Sequence, residues 1–308
     1  MKIPRAIATQ LYVSGAILLA LGFASSANAE EYLKSYSVTG RADVHVHVDD
    51  SSVHIVTSDT DQIEFKVTSE GFTTFNIGGK VRIDSQQNGN QVELTVLEKT
   101  GLSIGFSDKH LRTEVRMPKN ADLRVETADG SVDISSVDGN VSIQTKDGSV
   151  KAAQLTGKIE LRTLDGSINV ETLSGESKLH TTDGSIAVAH VDGKCEAAST
   201  DGLIHLGGRF DALDIKSTDG SVVAKVAQGS RMSSAWSIRT VDGSVELFLP
   251  QDFQANLDAR TRDGHISLDL PVSVQGDIAR TEVRGTMNGG GLPLAIHTGD
   301  GRIHIKSI

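Results

Sequence analysis

The chain has 308 residues, with 40 Asp or Glu against 30 Lys or Arg, 31 Gly, five Pro and one Cys. This length can build a core. The composition excludes a collagen, a disulfide-stapled miniprotein and a Pro-rich disordered chain, and 38% hydrophobic content excludes a multispanning membrane protein. A net charge of -10 without a concentrated run of Lys and Arg excludes a nucleic-acid binder, whose phosphate contacts need clustered cations.

At the start of the chain Lys2 and Arg5 precede an apolar run from about Ala16 to Phe23, followed by Ala27-Asn28-Ala29. This pattern predicts a secretory signal peptide over residues 1–29: the run is too short to span a bilayer, and small residues at 27 and 29 suit signal peptidase. No Cys follows the cleavage point, so a lipid anchor is not expected. Removing Lys2 and Arg5 leaves 28 basic against 40 acidic residues, a mature charge of -12. The expected location is the periplasm or the cell surface, with no membrane span after cleavage.

Residues 30–118 read as an irregular antiparallel β region. Val44, Val46 and Val48 point one way, Asp49-Asp50-Ser51-Ser52 reads as a turn, and Val53 and Ile55 return on the same face. A hairpin in that register gathers His45, His47 and His54 on the opposite face, where three imidazoles suit zinc or copper; a plain solvated face is the competing reading. Further strands are expected over Gln62 to Ser69, Lys80 to Ser85, Gln91 to Glu98 and Leu111 to Met117, with a loop at Gly101 to Ser107.

Residues 119–308 carry internal repeats. Thr-x-Asp-Gly-Ser-Val at Thr127 to Val132 recurs at Thr145, Thr163 and Thr181, and more weakly at Ser199 and Ser217. The turn ladder is Asp129-Gly130, Asp147-Gly148, Asp165-Gly166, Asp183-Gly184, Asp201-Gly202 and Asp219-Gly220, a constant spacing of 18. Longer returns follow at Asp242, Asp263 and Asp300. A looser turn falls midway, as at Asp138-Gly139 and Thr156-Gly157, so each unit is expected to hold two short strands and two tight turns.

Apolar residues fall three and five positions after each Asp, as Val150 and Ala152 do after Asp147, and again in the second strand, as at Ile159 and Leu161. Polar residues stand between them, giving every strand one inward and one wet face. Two architectures fit. In a β-solenoid each unit is one coil, paired in parallel with the next at about 4.8 Å. In an antiparallel meander each Asp-Gly is a hairpin turn. The solenoid is preferred, because only a coil needs a strict 18-residue period of unequal halves. The fold class expected is therefore all-β, a single-stranded β-helix-like solenoid capped by the N-terminal antiparallel region.

Turn chemistry accounts for the Asp-Gly ladder: Gly supplies a left-handed conformation and Asp accepts hydrogen bonds from its own turn amides. Calcium is the alternative, since stacked carboxylates repel by about 1 kcal/mol per neighbouring pair. The calcium-binding nonapeptide pattern, Gly-Gly-x-Gly-x-Asp, is missing, however. Thr127, Thr145, Thr163 and Thr181 are expected to line the inner corner. Cys195 alternates with polar neighbours and is expected in the core. No cofactor is expected, with calcium or a transition metal the open alternatives. Gly289-Gly290-Gly291 lacks the Lys-Ser/Thr and helix of a phosphate loop, and no nucleophile elbow, His-Glu-x-x-His or Cys pair occurs.

Val115-Arg116-Met117-Pro118-Lys119-Asn120-Ala121-Asp122-Leu123-Arg124-Val125 runs straight into the repeats. Later come Trp236-Ser237-Ile238-Arg239-Thr240, Leu249-Pro250 leading to Leu257-Asp258-Ala259, and Asn288-Gly289-Gly290-Gly291 before Thr298-Gly299-Asp300-Gly301. Together these resemble the bacterial putative-adhesin family of β-strand-repeat proteins, a domain of unknown function, from about residue 36 to 308. The resemblance implies an exported, mostly β solenoid of the cell envelope, and it brings no catalytic residues.

The leading function is thus a non-catalytic envelope protein acting as a binding or structural scaffold for an unidentified protein or glycan. One alternative is a polysaccharide-active enzyme using carboxylates such as Asp129, Asp133 and Asp147. Another is a metal-binding or envelope-stress accessory protein using His45, His47 and His54.

Overall fold

The computed structural model describes residues 30–70, 76–77, 81–98, 102–103, 110–274 and 279–308. The expected signal peptide and most of the loop expected at Gly101 to Ser107 lie outside the described residues. Ten strands come first: β1 (Glu30–Ser37), β2 (Ala42–Val48), β3 (Ser51–Ser58), β4 (Gln62–Glu70), β5 (Asn76–Ile77), β6 (Val81–Asn88), β7 (Gln91–Glu98), β8 (Leu102–Ser103), β9 (His110–Pro118) and β10 (Ala121–Thr127). Long strands follow: β11 (Val132–Gln144), β12 (Val150–Arg162), β13 (Ile168–His180), β14 (Ile186–Ser199) and β15 (Ile204–Ser217). The chain ends with β16 (Val222–Val226), β17 (Trp236–Thr240), β18 (Val245–Leu249), β19 (Ala255–Thr261), β20 (Ile266–Leu268), β21 (Ser273–Val274), β22 (Glu282–Met287), β23 (Pro293–Thr298) and β24 (Ile303–Ser307).

The long strands pair in parallel with an 18-residue offset, so Val132 meets Val150, Val150 meets Ile168 and Ile168 meets Ile186. That pairing is a solenoid; a meander would pair neighbours antiparallel. Each coil is one bent strand rather than two strands joined by a second turn. The chain runs through Gly157, Gly175 and Gly193 without leaving the ladder, at φ of 118°, 109° and 133°. It is at these bends, and not at the Asp-Gly corners, that Gly supplies the left-handed conformation.

The bend divides every coil between two walls. The front wall runs β1–β4–β9–β3, then the first halves of β11 to β15, then β16–β18–β24–β20. The back wall runs β6–β7–β2–β10, then the second halves, then β17–β23–β19–β22–β21. Neither wall follows chain order at its ends. The β2–β3 coil lies inside the one formed by β7 and β9, and the final coil, β23–β24, is inserted between β17–β18 and β19–β20.

The N-terminal region is antiparallel at β1–β4, β4–β9 and β6–β7, while β2 and β3 are parallel members of the two walls. The hairpin expected at residues 44–55 therefore does not form, since β2 and β3 face each other across the core. Antiparallel strands, β1 and β6, form the outermost edges of the two walls at this end. Tyr32 and Tyr36 of β1 each hydrogen-bond the Ser85 hydroxyl of β6 at 2.6 Å and tie the two edges together.

The four apolar columns read from the sequence are buried, Cys195 included. Burial in this apolar column pushes the Cys195 thiol up to about 11. A fifth column, Val137, Leu155, Leu173 and Val191, is buried as well. The sequence hides it because two consecutive outward residues, such as Ala153 and Gln154, interrupt the alternation just before it.

Candidate binding groove on the front wall

At the Asp-Gly corner the side chain that organises the turn is the Thr. Thr163 Oγ1 accepts the Gly166 amide at 3.1 Å and donates to the carbonyls of Lys146 and Gly148, one coil away, at 3.2 and 3.0 Å. The same Thr or Ser to Gly bond recurs from Thr127 through Thr240, with the hydroxyls buried. The Asp side chains contribute otherwise than expected: Asp129, Asp147, Asp165, Asp183, Asp201 and Asp219 are exposed and make no side-chain hydrogen bond to a described residue. Gly is required there because a Cβ on Gly130, Gly148, Gly166, Gly184, Gly202 or Gly220 would meet a neighbouring coil's carbonyl oxygen at 1.8–2.1 Å. Asp50 continues the carboxylate column; burial, then repulsion from Asp129 and Asp49, raises its carboxyl above the ordinary range.

The expected histidine cluster is divided between the walls. His45 and His47 leave the outer face of the back wall, where His45 Nε2 lies 3.0 Å from Asp43 Oδ1 and His47 Nδ1 lies 3.3 Å from Glu126 Oε2. His54 leaves the outer face of the front wall, because its strand pairs with β9 and β11. Among the described residues no group of three or more His, Cys, Asp or Glu is arranged to hold a metal ion.

His54 instead stands at one end of a groove of about 930 Å³ that crosses the front wall. Strand register places His54, Asp133, Lys151, Asn169, Ala187 and His205 in one outward row. A second row, Ser135, Ala153, Glu171, Ala189 and Gly207, lies beside it, and its first four members fall where the ladder skips a residue. Small side chains fill most of this second row, so the wall is hollowed four residues before the bend glycines. Lys225 closes the far end. Charges of both signs therefore line an open channel that runs across the strands, along the solenoid axis.

Of the carboxylates considered as a catalytic set, Asp133 lines this groove while Asp129 and Asp147 stand on the corner. No groove is legible in the sequence, because its walls come from residues 18 apart and its depth from small side chains that read as ordinary outward positions.

Residues 42–306 match the model of the Toastrack DUF4097 family. The chain belongs to this family. A crystal structure of a putative adhesin from Parabacteroides merdae, 13% identical, aligns over 91% of this Toastrack chain and 97% of that chain with a TM-score of 0.50, a likeness that shows the fold. A putative adhesin from Parabacteroides distasonis is 10% identical over 90% and 97% of the two chains, TM-score 0.42. A putative cell adhesion protein from Clostridium sporogenes is 13% identical over 91% and 100%, TM-score 0.27. No curated protein matches the chain. Among the described residues no helix is long and apolar enough to cross a membrane.

Proposed function

We propose that this Toastrack protein is an exported, non-catalytic scaffold of the cell envelope whose front-wall groove receives an extended segment of a partner protein or glycan. The observation that carries the reading is the groove itself. It is open and elongated, and it is lined at intervals of one coil, about 4.8 Å, by His54, Asp133, Lys151 and Asn169. Such a surface offers many weak, regularly spaced polar contacts to a chain laid along the axis. Transition-state stabilisation, by contrast, depends on preorganised dipoles in a site closed to water, and this groove stays open along its length. The signal-peptide pattern of residues 1–29 and the likeness in fold to the putative adhesin from Parabacteroides merdae support an envelope location.

The test has two arms. The full chain with a C-terminal tag is expressed in a bacterium, the cells are fractionated and the product's intact mass is measured. A mass beginning at Glu30 in the periplasm or on the surface supports export, and an unprocessed cytosolic chain refutes it. A photo-crosslinking amino acid at Ala153 in the groove is then compared with one at Lys158 on the back wall. A crosslinked envelope partner specific to Ala153 supports the groove; equal labelling at both positions removes it.

A further inference from the structure

The strict 18-residue period ends at Asp219, and the next Asp-Gly corner, at Asp242, follows only after 23 residues. The additional chain forms a loop between Val226 and Trp236 on the bend edge of the solenoid. Two more loops leave the same edge from neighbouring coils, one between Leu249 and Ala255 and one between Met287 and Pro293. The three enclose a hollow of about 550 Å³, within the roughly 300–1,000 Å³ of small-molecule sites. Insertions on one face of a repeat protein are where binding surfaces are commonly built.

These loops are fixed by side chains. Asn288, at the left-handed φ of 48°, donates from Nδ2 to the carbonyls of Gln251 and Phe253 at 2.7 and 2.9 Å. Asn256 Nδ2 donates to the Gly291 carbonyl at 2.5 Å. Ser230 Oγ accepts the Phe210 amide at 3.1 Å and donates to the Ala227 carbonyl at 2.7 Å. Beneath them Phe253 packs on Trp236 with ring centroids 5.2 Å apart, and Trp236 on Phe210 at 6.1 Å.

Arg231, Asp252 and Gln254 line the hollow, and none of the three makes a side-chain hydrogen bond or ion pair to another described residue. Met232 and the exposed Leu292 supply apolar surface beside them, over the buried Phe253. A guanidinium only donates, a carboxylate only accepts and an amide does both. Their opposite charges disfavour a simple anion and a simple cation alike. Vicinal hydroxyls, each both donor and acceptor, with an apolar C–H face on the same ring, satisfy the whole set.

We propose that this hollow, set apart from the front-wall groove, is a saccharide-binding site, with Arg231, Asp252 and Gln254 bonding ring hydroxyls and Met232 and Leu292 packing on the C–H face above the buried Phe253.

Trp236 is the only tryptophan of the chain and lies directly behind Phe253, so its fluorescence reports on the hollow. The full chain is titrated with glucose, galactose, N-acetylglucosamine, cellobiose, lactose and chitobiose, following Trp emission and, independently, saturation-transfer NMR. A saturable response to at least one sugar, weakened tenfold or more in both Arg231→Met and Asp252→Asn while their melting temperatures stay unchanged, is the expected result. No saturation transfer to any sugar overturns the proposal, as does a response that survives both substitutions. A response to free amino acids and not to sugars also overturns it, assigning Arg231 and Asp252 to a zwitterion.

Discussion

A Cβ placed on Gly166 would lie 2.1 Å from the carbonyl oxygen of Gly148, one coil away. The corner glycines thus set the distance between coils, and the atom that a side chain would strike is backbone, which cannot move aside as a flexible side chain can. Gly166→Ala is expected to cost more than about 3 kcal/mol or to abolish folding. Gly229→Ala, where a Cβ meets nothing within 4 Å and only the φ of 82° is unfavourable, should cost about 1 kcal/mol. Urea denaturation midpoints decide between them, and equal losses would refute the stacking account.

The Thr163 hydroxyl serves as donor and acceptor while only 2% exposed. Thr163→Val keeps the shape and leaves the Gly166 amide and the neighbouring carbonyl without that partner, a loss of about 1–3 kcal/mol. Thr163→Ser keeps the hydroxyl, as the protein itself does at Ser199 and Ser217, and should lose less than about 1 kcal/mol. Thermal melts of the two variants make the comparison.

Strands β23 and β24 pair on one side with β17 and β18 and on the other with β19 and β20. Removing residues 293–308 therefore takes away an inner coil, not an end. Hydrogen exchange should show loss of protection over residues 236–268 as well, whereas removal of a true end coil would leave those amides protected. Unchanged exchange over that range would contradict the inserted topology.

His297 Nε2 is buried without a hydrogen-bond partner and lies 3.9 Å from Asp258 Oδ2. Desolvation holds the imidazole below its ordinary 6.5; Asp258 opposes this, and Arg260 and Arg239 add to it. A folded pKa below the unfolded one means that the unfolded chain binds more protons between the two values, so this contribution is complete above about 6.5 and is lost as the pH falls through the folded pKa. His297→Gln should lose less melting temperature than the native chain between pH 7 and pH 5. Equal losses would show that another group controls the acid limb.

Much of the architecture was legible in the repeat. The spacing of 18, the apolar columns headed by Val132 and Ile134 and the inward Thr at 127, 145, 163 and 181 all stand where the sequence placed them, because a stacked coil repeats each local environment at a fixed interval. The residues around Asp49-Asp50 were misread, since the turn there joins two walls and not two partners of a hairpin, and both give the same alternation. His54 therefore points outward from the front wall, away from His45 and His47 on the back wall.

The sequence by itself determined that the chain coils, how long a coil is and which side chains point inward, for these follow from local periodicity and burial. Tertiary structure decided the rest. Which wall receives His54, how the last coil slides between two earlier ones, where small side chains hollow the front wall and how three loops enclose Arg231, Asp252 and Gln254 all depend on contacts between residues far apart in the chain. Local alternation is the same for every such arrangement, and only the packing of coil on coil selects one.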